Sequence, residues 1–292
     1  MVLDPTSRYT RRRFSGTIRF QMKYIDPHIH CVSRTTDDYL YMARAGVVAV
    51  SEPAFWAGYD RSSASSFYDY FRHLLDIEPK RAARYGIEHF SWLCINAKEA
   101  ENVELSRDVI ALIPPLLSHP RVLGVGEIGL NKNTKNEITT FELQVDVAAK
   151  HDQMILIHTP HLEDKHKGTD IICSILKNDA RIRPERVLID HCEEHTLRKA
   201  RECGFWAGLT IYPITKVTPT RAVDIIETFG SDKLCVNSAS DWGESGPHCL
   251  TDTCLEFRRR GHSEAEATEV FFNNPCRFFG QNPKWTIKPL TI

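Results

Sequence analysis

A chain of 292 residues with 37 basic and 38 acidic side chains carries a formal net charge of −1. That balance excludes a global field able to gather nucleic acid or an anionic membrane surface. The length suits one large α/β core, and nine cysteines without a C-x-x-C pair indicate neither a disulfide framework nor a zinc ribbon, so a reducing, cytoplasmic setting is expected.

Residues 1–21 include Arg11-Arg12-Arg13 and several Ser and Thr without apolar periodicity. They are expected to form a disordered or extended arm, with an organelle-targeting segment as the alternative. No apolar run approaches the ~18 residues of a membrane span. From Met22, short apolar runs alternate with longer amphipathic stretches, as βα units with a parallel sheet require. The strand candidates are 23–27, 47–51, 89–95, 122–127, 154–158, 187–191, 205–210 and 234–238. Helices are expected over 36–45, 67–85, 103–117, 137–150, 169–177, 194–203, 220–229 and 247–260, with Gly46, Gly86, Gly204 and Gly230 placed to stop four of them. Eight such units predict a closed (β/α)8 TIM barrel over residues 22–280 rather than an open doubly wound sheet, followed by a C-terminal tail, 281–292, running over the surface.

Metal-type ligands recur where these strands end: Asp26-Pro27-His28-Ile29-His30, Gly126-Glu127-Ile128-Gly129, His158-Thr159, Asp190-His191-Cys192 and Ser240-Asp241. Parallel strands closing into a barrel bring such ends to one rim. Side chains at i, i+2 and i+4 share a face, so Asp26, His28 and His30 are expected to point into the barrel mouth. Mixed imidazoles and carboxylates suit Zn²⁺ first, with Mn²⁺, Fe²⁺, Mg²⁺ or Ni²⁺ as alternatives, and one carboxylate can bridge two ions. The expected assignment gives His28, His30, Glu127 and Asp241 to one ion and Glu127, His158 and His191 to a second.

These motifs, in this order, resemble the TatD family of metal-dependent hydrolases within the amidohydrolase superfamily. The acid followed by H-x-H, the G-E-I-G-L of residues 126–130, the His before a hydroxyl residue, the H-C pair and the final Asp all have counterparts, and the similarity runs from Met22 to about Phe279. It implies a TIM barrel with one or two divalent ions at the rim and hydrolysis of a phosphoester or related bond. Phosphotriesterase-like relatives bridge their ions with a carboxylated lysine where this chain has Glu127. Three positions depart from the TatD pattern: Glu193-Glu194-His195-Thr196 replaces a Gly-Ser loop, Ala239-Ser240-Asp241 replaces E-T-D, and Asn131 replaces an Asp. All three border the substrate space.

The expected function is hydrolysis of a small phosphoester, ester, lactone or amide by a metal-activated water, with Asp241 orienting that water and taking its proton. A metal-dependent deoxyribonuclease is the nearest alternative, disfavoured by the lack of a basic, aromatic-interleaved groove. A non-catalytic metal-binding scaffold is the alternative of another class. Glu52, Tyr212, Lys216, Glu194 and His195 are candidates for substrate contact, Asn96 and Thr210 for supporting a metal ligand, and Trp56 and Trp242 for walling the pocket. Cys31 and Cys192 alternate away from the mouth and are expected to be inert. The oligomeric state is left open.

Overall fold

A computed structural model describes residues 22–160 and 164–291; the arm expected over 1–21 lies outside them. Among the described residues eight strands form one parallel sheet in sequence order. They are β1 (Tyr24–Asp26), β2 (Val47–Pro53), β3 (Glu88–Leu93), β4 (Val122–Gly129), β5 (Met154–His158), β6 (Val187–Ile189), β7 (Trp206–Thr210) and β8 (Leu234–Asn237). The seam between β8 and β1 is closed just past the strand ends. There Ala239 N donates to His28 O at 2.7 Å and His30 N to Ser240 O at 2.9 Å. Asp26 reinforces the seam, accepting from Ser238 Oγ at 2.6 Å. The first acid of the D-x-H-x-H segment therefore staples the barrel and does not point into its mouth beside the two histidines.

The helices are α1 (Thr36–Ala45), α2 (Ala64–Asp76), α3 (Glu78–Ala83), α4 (Val103–Leu116), α5 (Lys135–Lys150), α6 (Lys165–Asn178), α7 (Glu194–Glu202), α8 (Pro219–Phe229), α9 (Cys249–Arg259), α10 (Glu264–Thr268) and α11 (Asn274–Phe279), with a π-helical turn over Glu269–Asn273 between the last two. Gly46, at φ 98°, ends α1 in the left-handed conformation that glycine adopts without a Cβ clash. The single helix expected over 67–85 is two. Pro79 lacks an amide donor and opens α3 at its first turn.

Strand alternation divides the core into two layers. Ile25, Ala49, Phe90, Trp92, Leu123, Leu156 and Leu188 fill the barrel, while Val50, Leu93, Val125, Ile155 and Ile189 pack outward against the helices. The region after α9 differs from expectation. Phe278, Phe279 and Trp285 join the inner layer, and Trp285 lies 4.7 Å from both Phe90 and Phe279 between ring centroids. Asn282 Nδ2 donates to Leu123 O at 2.7 Å. The segment after 280 thus plugs the barrel floor through buried residues, where a surface path was expected. With the floor sealed, the C-terminal rim is the open end. Among the described residues no helix is long and apolar enough to cross a membrane.

Candidate metal centre

The barrel brings five of the six expected ligands together. His28 Nε2 lies 3.0 Å from His30 Nε2 and 3.8 Å from Glu127 Oε2, and His30 Nε2 lies 3.9 Å from Glu127 Oε1. At the same carboxylate, His158 Nδ1 is 3.0 Å and His191 Nε2 3.3 Å from Glu127 Oε2, and these two nitrogens are 3.1 Å apart. Two trios therefore share Glu127, and all five side chains are buried.

These separations suit a cation. A tetrahedral ion with bonds of about 2.0–2.1 Å to nitrogen or oxygen spaces its ligand atoms about 3.3–3.4 Å apart, within the 3.0–3.9 Å range observed. The donors are imidazole and carboxylate, the set preferred by zinc and its neighbours. Burial depresses the basicity of His30 and His191, with the charges of His28 and Lys216 respectively adding to the effect. Their lone pairs are kept available. Burial opposes ionisation of Glu127 too, yet His28 and His158 hold its carboxyl well below the ordinary range.

Each group is held from behind. Asp190 Oδ2 lies 2.5 Å from His28 Nδ1, and its Oδ1 accepts from Asn237 Nδ2 at 2.8 Å, Thr210 Oγ1 at 3.1 Å and His191 N at 2.7 Å. Thr210 Oγ1 in turn lies 2.7 Å from His191 Nδ1, so the ring turns Nε2 to the centre. Asn96 Nδ2 donates to Glu127 Oε1 at 3.0 Å. Such partners fix ligand orientation and tautomer. Asn96 and Thr210 thus stand where their support role was expected. Asp190 was not assigned a role from sequence, although its place directly before His191 was a usable signal. Gly208 makes room for it: a Cβ there would collide with the Asp190 side chain, whose Cγ would lie 2.9 Å away. His191 itself has φ 58°, a conformation costly for a side-chain-bearing residue. Its carbonyl is secured by Lys165 Nζ at 2.7 Å.

Asp241 stands apart from both trios. Its Oδ1 accepts from Tyr212 OH at 3.0 Å and Gly243 N at 2.7 Å, and its carbonyl accepts from Arg34. Face alternation carried past β8 placed it among the ligands, but the strand ends at Asn237 and Ala239 adopts φ 39°, which breaks the period. Lys216 reaches the same region, its Nζ 4.6 Å from the Tyr212 ring centroid. Desolvation lowers its pKa to about 8, aided by Lys98 and opposed by Glu127, Asp190 and Asp241.

Glu52 does not reach the mouth. Its neighbour Ser51 faces inward and accepts from Trp92 Nε1 at 2.5 Å, so Glu52 faces the helices. There it meets His89 Nε2 at 2.6 Å and accepts from Val32 N at 2.8 Å. Glu194 and His195 open α7 on the rim, but Arg221 binds both Glu194 oxygens, at 2.9 and 2.6 Å. His195 sits 5.5 Å from the His166 ring. Cys31 and Cys192 are buried, and burial raises both thiols. Phe55 stacks on His30 at 3.7 Å, Trp242 tilts against Phe55 at 4.8 Å, and Trp56 lies 6.1 Å from Trp242.

Comparison with known proteins agrees with this architecture. A chain described as an uncharacterized metal-dependent hydrolase of Methanocaldococcus jannaschii is 26% identical over 256 residues, covering 87% of this chain and 99% of that one. The crystal structure of a TatD-like protein from Archaeoglobus fulgidus superposes with a TM-score of 0.71 at 22% identity, over 88% of this chain and all of the other. An organophosphorus hydrolase from Deinococcus radiodurans matches in fold, with a TM-score of 0.65 at 14% identity over 89% and 93% of the two chains. The profile of the TatD related DNase family matches residues 25–280, and the chain belongs to that family of metal-dependent hydrolases.

Proposed function

We propose that this protein hydrolyses a small phosphoester, ester, lactone or amide at a binuclear centre, with zinc as the ion that best suits the donors. The sharing of Glu127 between two ligand trios carries this reading. His28 and His30 would hold one ion with Glu127, and His158 and His191 the other. Divalent ions bound there supply Lewis-acid polarisation of the scissile group and lower the pKa of a coordinated water from 15.7 to about 7.

The chain's own residues do the rest. Asp190, Thr210 and Asn96 keep the ligands oriented, so little reorganisation is needed when substrate arrives. Asp241 serves as proton acceptor rather than ligand. Its Oδ1 is fixed by Tyr212 and Gly243, and among the described residues none donates to Oδ2. Phe55 and Trp242 shield one side of the centre from water, which strengthens the electrostatic interactions inside.

The test is removal of metal with a chelator, reconstitution with Zn²⁺, Mn²⁺ or Mg²⁺, and assay of phosphoesters, carboxyl esters, lactones, amides and single-stranded DNA. Metal-dependent turnover of the small substrates with two ions per chain is expected. Turnover confined to DNA would establish the deoxyribonuclease that the family description names. A single ion per chain at full activity would refute the binuclear assignment.

A further inference from the structure

Cations from several βα loops and helix starts ring the open end, and most are already neutralised. Arg34 meets Asp38 at 3.1 Å, Arg61 meets Glu99 at 2.6 Å, Lys165 meets Glu193 at 3.0 Å, and Arg221 meets Glu193 and Glu194 at 2.9 and 2.6 Å. Lys98 and Lys216, both half-buried, differ. Among the described residues neither ammonium has a carboxylate within ion-pair distance, and each lies against an aromatic face, Lys98 at 4.9 Å from Trp56 and Lys216 at 4.6 Å from Tyr212. The two come from opposite loops, after β3 and β7, yet the charge of Lys98 reaches Lys216 across the mouth. Two like charges kept near a centre already due to receive divalent cations are costly without an anion between them. Trp56 Nε1 adds a buried donor with no acceptor.

Beside these donors runs an unbroken series of rings: His30, Phe55, Trp242 and Trp56, with centroid separations of 3.7, 4.8 and 6.1 Å. Its most exposed member, Trp242, is 50% exposed. A half-exposed indole tilted against an inner ring offers a flat face to whatever enters. Gly58 packs beside it: a Cβ there would lie 3.8 Å from the Trp242 ring, an ordinary contact.

We propose that the substrate is an anionic ester on a planar scaffold, its phosphoryl or carboxylate anion held between Lys98 and Lys216 and its planar group laid against Trp242 and Phe55. This rests on the hydrolase reading above and narrows its substrate class. It separates this site from one built for neutral lactones or triesters, which would leave both lysines unmatched. It also separates it from a polynucleotide track, whose successive phosphates would call for cations spaced outward along the rim, where most, Arg34, Arg61, Lys165 and Arg221 among them, are already bound.

The experiment measures binding of three non-hydrolysed probes to the metal-loaded full chain by calorimetry: phenylphosphonate, methylphosphonate and benzamide. The wild-type protein should bind phenylphosphonate best and benzamide least. Lys216→Met should weaken both phosphonates about tenfold or more, the scale of one charge-assisted contact, with Lys216→Arg restoring most of the loss. Trp242→Ala should weaken phenylphosphonate several-fold and leave methylphosphonate within about twofold. Wild-type-like phosphonate binding in Lys216→Met, equal weakening of both phosphonates in Trp242→Ala, or failure of the wild-type protein to bind phenylphosphonate each overturns the proposal. Because the readout needs no turnover, correct selectivity in a protein that hydrolyses nothing would refute the hydrolase reading and leave the anion site standing.

Discussion

The Asp190 carboxylate sits 2.5 Å from His28 Nδ1, and this contact decides which nitrogen of His28 faces Glu127. Burial alone would favour a neutral Asp190, but the adjacent His191 and His28 rings, the second of them hydrogen-bonded to it, keep it ionised far below the ordinary carboxylate range. The same side chain steadies His191 through its backbone amide and Thr210. One carboxylate thus supports a ligand of each trio. Asp190→Ala should cost about 10- to 100-fold in metal affinity, the usual scale for such a partner. Competition with a chromogenic chelator reads this directly, and unchanged affinity would show that His28 is oriented by packing alone.

Glu127 is the only carboxylate among the five converging side chains. Glu127→Ala leaves four imidazoles facing one another with no anion to bind or neutralise the ions. Elemental analysis should show metal content falling from two ions per chain to one or fewer, with turnover reduced by at least 10². Retention of both ions would remove Glu127 from the bridge.

The barrel was legible because eight short apolar runs alternate with amphipathic stretches, and parallel strands buried on both faces leave that trace. The candidate ligands were legible because H-x-H and the later Glu and His interrupt those runs at matching ends. Two kinds of residue were misplaced. Glu52 follows an apolar strand just as Glu127 does, but it falls on the outer face, and only the inward Ser51–Trp92 contact fixes the phase. Asp241 lies past the end of β8, where alternation no longer applies and the φ of Ala239 redirects the chain. The floor was hidden for a different reason: Phe278, Phe279 and Trp285 carry no periodicity and gain meaning only from the barrel end they plug.

Asp241 and Tyr212 form a pair whose members should separate kinetically. Asp241→Asn keeps the shape and an acceptor for Tyr212 OH but loses the basic oxygen. Metal content and fold should persist while kcat falls about 10²- to 10⁴-fold, the range for a lost general base. Tyr212→Phe, which only frees that oxygen, should cost less than the Asn variant. Near-normal turnover in Asp241→Asn, measured on any substrate found by the panel, would assign proton transfer elsewhere.

Glu52 provides the contrasting case, a carboxylate whose loss should be felt in stability and not in chemistry. It is fully buried against His89 and the Val32 amide. Glu52→Ala strands both donors, and breaking such a pair costs about 3 kcal/mol. Urea unfolding should reveal this loss, with kcat/KM of the remaining folded enzyme within about threefold of wild type. Intact stability with lost turnover would return Glu52 to the substrate.

Lys216 should give anion binding a pH limb. Its pKa of about 8 lies below the ordinary 10.5 because burial and Lys98 disfavour its charge, so the ammonium prevails below pH 8 and is lost above it. Methylphosphonate affinity should therefore decline as pH rises through 8. Arginine stays charged throughout this range, so Lys216→Arg should abolish the decline, and comparing the two proteins cancels the probe's own titration. The linked effect on folding has the opposite slope. Between about pH 8 and 10.5 the unfolded chain holds a proton at this position that the folded chain has released, so stability contributed by Lys216 rises with pH across that window. A wild-type binding profile parallel to that of Lys216→Arg would show that the lysine does not face the bound anion.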